Sequence, residues 1–392
     1  MKRIYGNRKS VMVSEEDEDS AVKCRERRRR RMAMRRMATV TTAGSSGSAG
    51  DETRKHLAKI DNPTTSSSTT ATAIMSLISI METPPPPEYG VMSVIGRQRE
   101  MEDEVFVTTN LCRPEVNGFR PVHFFAVFDG HGGRHVSALC KDNMHVIMEE
   151  ELMRVKVIGE EPNGGGELWR TAINRCFRRM DEMALRLCLC GGLGTSSNIC
   201  RCNPQLSFMG STAVVSILTK EFIFVANCGD SRAVLCRNGR PMPLSVDHKP
   251  DRVDERARIE GCGGRIMFSD GARVEGILGM SRAIGDRLLK QWVTSEPEIS
   301  VTRRETENEC LILASDGLWD VLSNELACKI VHECFGENEN SSTESRIEAD
   351  EGASGETLYT SRSDLAATLL VRLALGRRST DNISVIVIDL RK

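Results

Sequence analysis

The chain lacks the long apolar segments that carry proteins into or across membranes. No apolar run approaches the roughly 18 to 20 residues that span a bilayer, and the N-terminal residues contain no apolar stretch typical of a secretion signal. The net charge is only −2 over 392 residues, so the chain as a whole has no attraction to nucleic acid. We therefore expect an intracellular protein that binds neither membrane nor nucleic acid.

Aromatic residues are also scarce, at 4% of the chain, and residues 89–392 contain no continuous basic run. A nuclease or phosphodiesterase needs a basic channel and aromatic platforms on which bases stack. The composition therefore disfavours that class of enzyme.

The chain has 14 cysteines, but they are scattered along a long sequence and do not form the dense pattern of a small secreted scaffold. Most are expected to be reduced thiols that act as small core residues. Cys188, Cys190, Cys200 and Cys202 form a separate group, for which three interpretations stay open: a zinc site, a redox-sensitive loop or an ordinary insertion.

Composition changes sharply near residue 88. Before it come an acidic run at 15–19, an arginine cluster at 25–36, Ser/Thr/Ala-rich sequence and four prolines at 84–87. Such a segment buries too little apolar surface to fold, so residues 1–88 are predicted to be disordered. The arginine cluster is either a nuclear import signal, a nucleic-acid contact or a solvated tail, and import would place the protein in nucleus and cytoplasm.

From residue 89 onward, patterns typical of strands and helices alternate with turn residues. The stripe of Trp169, Ile173, Phe177, Met180 and Ala184 predicts a helix that faces the core. The Glu/Ser/Gly-rich residues 336–362 are predicted to be a flexible surface loop. Tight turns between neighbouring strands favour antiparallel pairing, so the pattern predicts an α+β sandwich. Strands are predicted at 91–95, 122–128, 212–218, 222–227, 232–237, 310–314 and 384–389, and helices at 135–151, 167–187, 325–335 and 364–375.

Acidic residues stand where predicted strands begin or end. Asp129 and Asp316 follow strands directly, Asp381 precedes the last strand, and Glu102 and Asp103 follow the first strand after a short turn. A single Asp-Gly of this kind is usually only a turn, but several at strand ends are unlikely to coincide by chance. No Cys/His pair of zinc spacing accompanies them, so the pattern predicts an oxygen-ligand site for Mg²⁺ or Mn²⁺.

Further motifs lie between these acidic residues in a fixed order. They are GSTAVV at 210–215, ANCGDSRAVLCRNG at 226–239, HKPDR at 248–252 and GILGMSRAIGD at 276–286. With them, residues 89–390 resemble the metal-dependent protein phosphatases of type 2C, specifically the plant group that opposes abscisic acid signalling. The resemblance implies a catalytic domain at 89–392, with a central antiparallel β-sandwich flanked by helices and a flap at about 240–295. It also implies hydrolysis of phosphoserine and phosphothreonine on proteins.

Site residues follow from the resemblance, position by position. Asp129 would bridge two metal ions and the Gly130 carbonyl would bind one, with His131 as the proton donor to the leaving group. Water would attack phosphorus directly, without a phosphoenzyme. Glu102, Asp316 and Asp381 would complete the coordination of these two ions, partly through waters. Asp103, Asp230 and Asp320 would hold metal-bound waters or a weaker third ion. His248 is expected to be structural.

One departure from the family concerns the phosphate. The family places an arginine two residues after Gly96, where it grips phosphate bidentately, but this chain has Gln98 there. Arg97 and Arg99 flank it, although neighbours in an extended segment point to opposite sides. Either a local shift brings in one of them, with Arg97 as the candidate, or the enzyme is active but weakened.

A second departure concerns regulation. In most of the plant group, a flap tryptophan inserts between the gate loops of the hormone-bound receptor, whereas this chain has Ser269 at that place, after Phe268. A buried indole contact of this kind is a typical hot spot, so abscisic acid receptors are expected to bind poorly. Trp292 lies in the flap but not at that position. The resemblance makes stress-activated kinases related to the sucrose-nonfermenting type the expected substrates.

A second hypothesis is a regulator that occludes a kinase active site and has weakened catalysis. The complete set of metal carboxylates argues against it, and Gln98 argues faintly for it.

Overall fold

The computed structural model describes residues 85–156, 166–187, 207–269, 271–336 and 361–391. Almost all of the predicted disordered region 1–88 lies outside these residues. The four cysteines between 188 and 202 and nearly all of the predicted loop 336–362 also lie outside them. The expectations for these segments stay predictions.

Strands make up the centre of the described chain, and every predicted strand is present with its ends shifted by at most two residues. In chain order the strands are β1 (Tyr89–Val94), β2 (Glu104–Cys112), β3 (Val122–Phe128), β4 (Gly130–His131), β5 (Gly210–Ser211), β6 (Ala213–Leu218), β7 (Phe222–Cys228), β8 (Arg232–Arg237), β9 (Arg240–Pro243), β10 (Ile266–Phe268), β11 (Ala272–Val274), β12 (Ile284–Gly285), β13 (Glu298–Arg303), β14 (Asn308–Ala314) and β15 (Ile383–Asp389).

Ten of these strands form two five-stranded antiparallel sheets. Sheet A has the order β1-β15-β14-β8-β9, and sheet B has the order β13-β7-β6-β3-β2. Strand β8 runs into β9 through Asn238 and Gly239, whose φ angles of 49° and 66° suit the two-residue turn that matches the twist of a hairpin. The antiparallel pairing predicted from such turns is confirmed.

The two sheets pack face to face because their strands are apolar on both sides. In β3, Phe125 and Val127 join a core that contains residues of both sheets, while Phe124 and Phe128 join a second core with helices. Alternate residues of a strand point to opposite faces, so one continuous apolar run serves two cores.

Helices cover the outer face of each sheet. The first two pack on sheet B, where the predicted stripe from Trp169 to Ala184 is buried, and the last two pack on sheet A. This arrangement confirms the predicted α+β sandwich. None of the described helices is long and apolar enough to cross a membrane. In chain order the helices are α1 (His135–Arg154), α2 (Gly166–Leu185), α3 (Val253–Gly261), α4 (Asp316–Trp319), α5 (Asn324–Gly336) and α6 (Arg362–Gly376).

The flap has a small core of its own. Helix α3 and the hairpin of β10 and β11 pack around a cluster that includes Ile259, Val274, Leu289 and Val293, with Trp292 partly buried against it. Residues 240–243, which the sequence-based flap includes, instead form the edge strand β9 of sheet A.

Arg282 and Arg258 both contact the buried Glu255 of α3 and lower its pKa to about 2, although burial opposes this shift.

Two cysteines depart from the expectation of reduced thiols. Cys236 of β8 and Cys328 of α5 form a disulfide across the interface between sheet A and its covering helix, with their Cα atoms 5.6 Å apart. The other described cysteines are free, and all of them except Cys262 are buried. No local pattern predicts this pair, because 92 residues separate its members.

Reduction of the Cys236–Cys328 disulfide is expected to lower the free energy of unfolding by about 2–4 kcal/mol, because it releases a long closed loop in the unfolded chain. Guanidinium unfolding with and without reductant measures this difference. In the double variant Cys236→Ala/Cys328→Ala, reductant should have no effect. An unchanged midpoint in the native protein would show that the pair does not stabilise the fold.

Candidate active site

Carboxylates converge where strands of both sheets end. Asp129 follows β3, Asp316 follows β14 and begins α4, and Asp230 lies between β7 and β8. One carboxylate oxygen from each of the three lies within 4.8 Å of the others. Asp129 and Asp316 therefore meet as their strand-end positions predict. Asp230, which was expected to hold a metal-bound water or a weaker third ion, belongs to the same close group.

Crowding of these carboxylates is unfavourable in the absence of a cation. Burial raises the pKa of both Asp129 and Asp316 well above the ordinary value near 3.8, and neighbouring aspartates, including Asp381, raise it further. The donors of the close group are all carboxylate oxygens, which hard divalent cations prefer. These residues fit Mg²⁺ or Mn²⁺, since a cation would offset both the burial and the mutual repulsion.

Lys249, of the HKPDR motif, places a positive charge against this cluster. Its Nζ donates to Asp230 Oδ2 at 2.5 Å, and it lowers the pKa values of Asp316 and Asp320 against the larger effect of burial. No role of Lys249 was predicted from the sequence. Its place in the structure shows that it partly balances the negative charge at this edge of the cluster.

Asp103 lies behind the cluster in a buried network. Its Oδ2 accepts a hydrogen bond of 2.8 Å from Ser315 Oγ, and Ser315 is tied in turn to the backbone of Ser384. Burial raises the pKa of Asp103 from an ordinary value near 3.8 to about 7, and the two serines oppose this rise. Asp103 thus braces the strand ends that carry Asp316 and Asp381.

Asn382 fixes the segment that carries Glu102, and sequence reasoning missed it. Its Oδ1 accepts from the Glu102 backbone N–H at 2.7 Å, and its Nδ2 donates to the carbonyls of Ile95 and Glu100. The Glu102 carbonyl then accepts from Gly130 N–H and from Ser137 Oγ. One amide side chain therefore joins the first acidic segment to the last.

Residues 96–100 form a turn, not the extended segment assumed from the sequence. Gly96 has a φ of 61°, and the Gln98 N–H bonds to the Ile95 carbonyl. Gln98 Nε2 donates to Asp381 Oδ1 at 2.9 Å. Arg97 and Arg99 are exposed on this turn, so the alternation of side chains along an extended segment does not apply to them.

The GSTAVV motif holds the backbone of Asp129. Thr212 Oγ1 accepts from the Asp129 N–H at 3.1 Å, and the Thr212 N–H donates to the Asp129 carbonyl at 2.9 Å. Ser231 Oγ lies 2.8 Å from Thr212 Oγ1 and completes the contact. The GSTAVV motif therefore positions Asp129, a role that was not predicted from the sequence.

The two histidines of the motifs occupy different environments. His131 follows Gly130 in β4 and lies at the cluster, with Nε2 2.7 Å from Asp286 Oδ2. His248 is fully buried, and its Nδ1 accepts from the N–H of Gly229, the residue before Asp230, at 3.1 Å. Burial lowers the pKa of His248 to about 4, in keeping with the structural role expected for it.

The tip of the flap carries exposed apolar side chains but no tryptophan. Phe268 is 64% exposed, Ser269 follows it on the surface, and the chain's three tryptophans stand at 169, 292 and 319. The backbone of Trp292 is engaged within the flap, where its carbonyl accepts from Arg258.

Known proteins resemble this chain in sequence. The family model described as protein phosphatase 2C matches residues 88–383. "Probable protein phosphatase 2C 75" of Arabidopsis thaliana is 57% identical over 314 residues, covering 79% of this chain and 75% of that protein. "Probable protein phosphatase 2C 49" of Oryza sativa subsp. japonica is 47% identical over 328 residues, covering 78% of each.

Solved structures show the same fold. A serine-threonine phosphatase 2C from Toxoplasma gondii superposes with a TM-score of 0.60 at 24% identity, covering 78% of this chain and 95% of that one. A sex determining protein of C. elegans gives a TM-score of 0.60 at 20% identity, with 82% and 71% covered.

Proposed function

Because the chain belongs to the protein phosphatase 2C family, we propose that it dephosphorylates stress-activated plant kinases related to the sucrose-nonfermenting type, as a negative regulator of abscisic acid signalling. Members of this family are metal-dependent, and the chain is a protein-serine/threonine phosphatase. The observation that carries the reaction is the meeting of Asp129, Asp230 and Asp316 within 4.8 Å.

Two ions of Mg²⁺ or Mn²⁺ are proposed at this cluster, with a weaker third. Asp129 and the Gly130 carbonyl, with Glu102, Asp316 and Asp381, are the proposed ligands of the first two. Asp103, Asp230 and Asp320 would hold waters or the third ion, although the geometry supports a closer place for Asp230. When bound, such ions would make water a nucleophile at neutral pH and neutralise charge on the phosphoryl oxygens.

His131 is the proposed proton donor to the leaving serine or threonine oxygen. Its position next to Gly130 and Asp129 supports this role, and its Nδ1 is buried without a hydrogen-bond partner among the described residues. An alkoxide is a poor leaving group, and a positioned acid typically contributes about 10² to 10⁴ in rate. Direct attack by water then gives inorganic phosphate and the free hydroxyl, with no phosphoenzyme.

Weak or absent inhibition by hormone receptors is the regulatory part of the proposal. The exposed Ser269 at the flap tip supports it, since serine cannot fill the site that an indole fills in most of the plant group. Trp292 cannot substitute without leaving the flap core against which it packs. The proposed locations are nucleus and cytoplasm.

Substitution Ser269→Trp tests the regulatory proposal directly. We expect native phosphatase activity to change little with receptor and abscisic acid, and the variant to be inhibited at about 30-fold lower receptor concentration, from a hot-spot contact of about 2 kcal/mol. Release of phosphate from a phosphothreonine peptide is measured with Mn²⁺, and Ser269→Ala is the matched control. Strong hormone-dependent inhibition of the native protein would refute the proposal.

A further inference from the structure

His131 has a buried partner that the motifs do not reveal. Its Nε2 lies 2.7 Å from Asp286 Oδ2, and the two side chains are only 10% and 1% exposed. The residues are 155 positions apart in the chain. Asp286 ends the GILGMSRAIGD segment and is absent from the carboxylate group that contains Asp129.

A three-stranded sheet builds this contact. Strand β5 lies between β4 and β12, and its Gly210 pairs with His131 on one side and with Gly285 on the other. Asp286 follows Gly285 with φ 48° and ψ 51°, and its N–H bonds to the Met209 carbonyl at 2.9 Å. Aspartate tolerates this left-handed conformation better than most residues. The register of the strands therefore sets Asp286 opposite the imidazole.

Gly210 leaves the space that the contact needs. A Cβ atom at this position would collide with Asp286 Oδ2 and with His131 Nε2. Only glycine at the centre of the small sheet allows the two side chains to meet across it.

Helix α2 braces the same strand from behind. Asp181 accepts from the Gly285 N–H at 2.8 Å and from Lys290 Nζ at 2.7 Å. Asp181 holds the backbone of β12, and it makes no hydrogen bond or ion pair with His131. It supplies a natural control, because it supports the position of Asp286 without touching the ring.

The contact determines which ring nitrogen is free. Carboxylate oxygens accept hydrogen bonds, so the contact assigns the donor role to the Nε2–H of His131 and the acceptor role to Asp286 Oδ2. The other nitrogen, Nδ1, is buried and has no hydrogen-bond partner among the described residues. Any proton that His131 gives to a substrate must therefore leave from Nδ1.

We propose that Asp286 is a positioning residue that holds the His131 ring so that Nδ1 protonates the leaving oxygen; this rests on the proton-donor role given under Proposed function. In that step the phosphorus–oxygen bond to serine or threonine breaks, and its electron pair stays on the oxygen. The oxygen takes the Nδ1 proton and leaves as the hydroxyl. Water forms the new phosphorus–oxygen bond, and the proton that it releases restores His131.

Two substrates separate positioning from a general structural role. A phosphothreonine peptide has an alkoxide leaving group that needs a proton, whereas p-nitrophenyl phosphate has one that leaves without it. With saturating Mn²⁺, we expect Asp286→Asn to lower kcat for the peptide by about 10- to 100-fold, part of the contribution of a positioned acid. For p-nitrophenyl phosphate the loss should be under about 3-fold, because that leaving group gains little from the acid.

Asp181→Asn is the structural control and should affect both substrates alike. The variant His131→Ala should show the same substrate-dependent loss, and Asp286→Asn added to it should have no further effect, because residues that act as a unit are not additive. Thermal unfolding shows whether Asp286→Asn remains folded. The Mn²⁺ concentration for half-maximal activity shows whether the variant still binds metal. Asparagine keeps the shape and tolerates the left-handed backbone.

Each negative result has a separate meaning. If His131→Ala lowers activity on both substrates equally, the proton-donor role fails, and the positioning role of Asp286 fails with it. If His131→Ala discriminates between the substrates but Asp286→Asn does not, only the positioning role is overturned. Additive losses in the double variant would also overturn it.

Discussion

Replacement of Asp129 by asparagine is expected to lower kcat/KM for a phosphothreonine peptide by about 10³-fold, equivalent to about 4 kcal/mol of transition-state stabilisation. The amide has nearly the same shape as the carboxylate but no negative charge to bind a cation. Asp129 lies in the closest carboxylate group of the site, and Thr212 holds its backbone on both sides. The variant should therefore fold normally and fail in metal binding.

In the metal-free protein at neutral pH, the same substitution should raise the free energy of unfolding. In the folded state the pKa values of Asp129 and Asp316 are well above 3.8, and that of Asp103 is about 7, mainly because of burial. The folded protein thus keeps protons that the unfolded chain releases above about pH 4. Its free energy of unfolding in EDTA should fall as the pH rises from about 4 to about 7. Asp129→Asn removes one such group, so that fall should be smaller.

Thermal unfolding in EDTA and in Mn²⁺, from pH 5 to pH 8, checks this prediction. Mn²⁺ should raise the thermal unfolding midpoint of the native protein, and it should raise that of Asp129→Asn much less. In EDTA at pH 8, the midpoint of Asp129→Asn should be higher than that of the native protein. The exposed Asp254 of the flap, which pairs with Arg252, provides the control variant Asp254→Asn. A variant that keeps activity within tenfold of native, or that is less stable than native in EDTA, would contradict the assignment of Asp129.

Local sequence patterns predicted the centre of the sandwich because its strands are apolar on both faces. Strands such as β3 and β15 are buried throughout, apart from a partly exposed His123, and their β-branched and aromatic runs are strong signals. Strand β2 was missed because most of its residues are only half-buried and its centre carries Thr108, Thr109 and Asn110. Half-buried strands at the edge of a sheet need no continuous apolar run.

The acidic cluster was predictable for a related reason. Asp129 and Asp316 follow strongly apolar strands, so the local sequence predicts that both carboxylates lie at a sheet edge. No local pattern predicts the contacts of Asp286 and Asn382. Their partners lie 155 and 280 residues away, and the contacts depend on strand register that local patterns do not encode. The disulfide and the ion pair between Lys249 and Asp230 were missed for the same reason.

Substitution Gln98→Arg is expected to raise kcat/KM for a phosphothreonine peptide by about 10- to 100-fold. The Gln98 amide donates to Asp381 Oδ1 at 2.9 Å, so the side chain at this position already points to the acidic cluster. A guanidinium there would add hydrogen bonds to the charged phosphate, each worth about 1.5–3 kcal/mol. The amide offers a neutral donor and binds phosphate more weakly.

Gln98→Lys separates charge from geometry, because an ammonium brings the charge without the planar fork. We expect it to give a smaller gain than arginine, mostly in KM. Both variants are compared with native protein on the same peptide in saturating Mn²⁺. Equal gains would show that charge alone limits phosphate binding at this position.

The flanking arginines provide the decisive comparison. Arg97 and Arg99 are exposed on the same turn as Gln98, and the backbone of Arg97 is held by its bond to the Thr380 carbonyl. If Arg97 grips the phosphate, Arg97→Gln should lower kcat/KM by about 10- to 100-fold. Gln98→Arg should then add little. If neither arginine does so, Arg97→Gln and Arg99→Gln should both stay close to native, and Gln98→Arg should still raise kcat/KM. These paired rates therefore assign the phosphate contact to one residue of the turn.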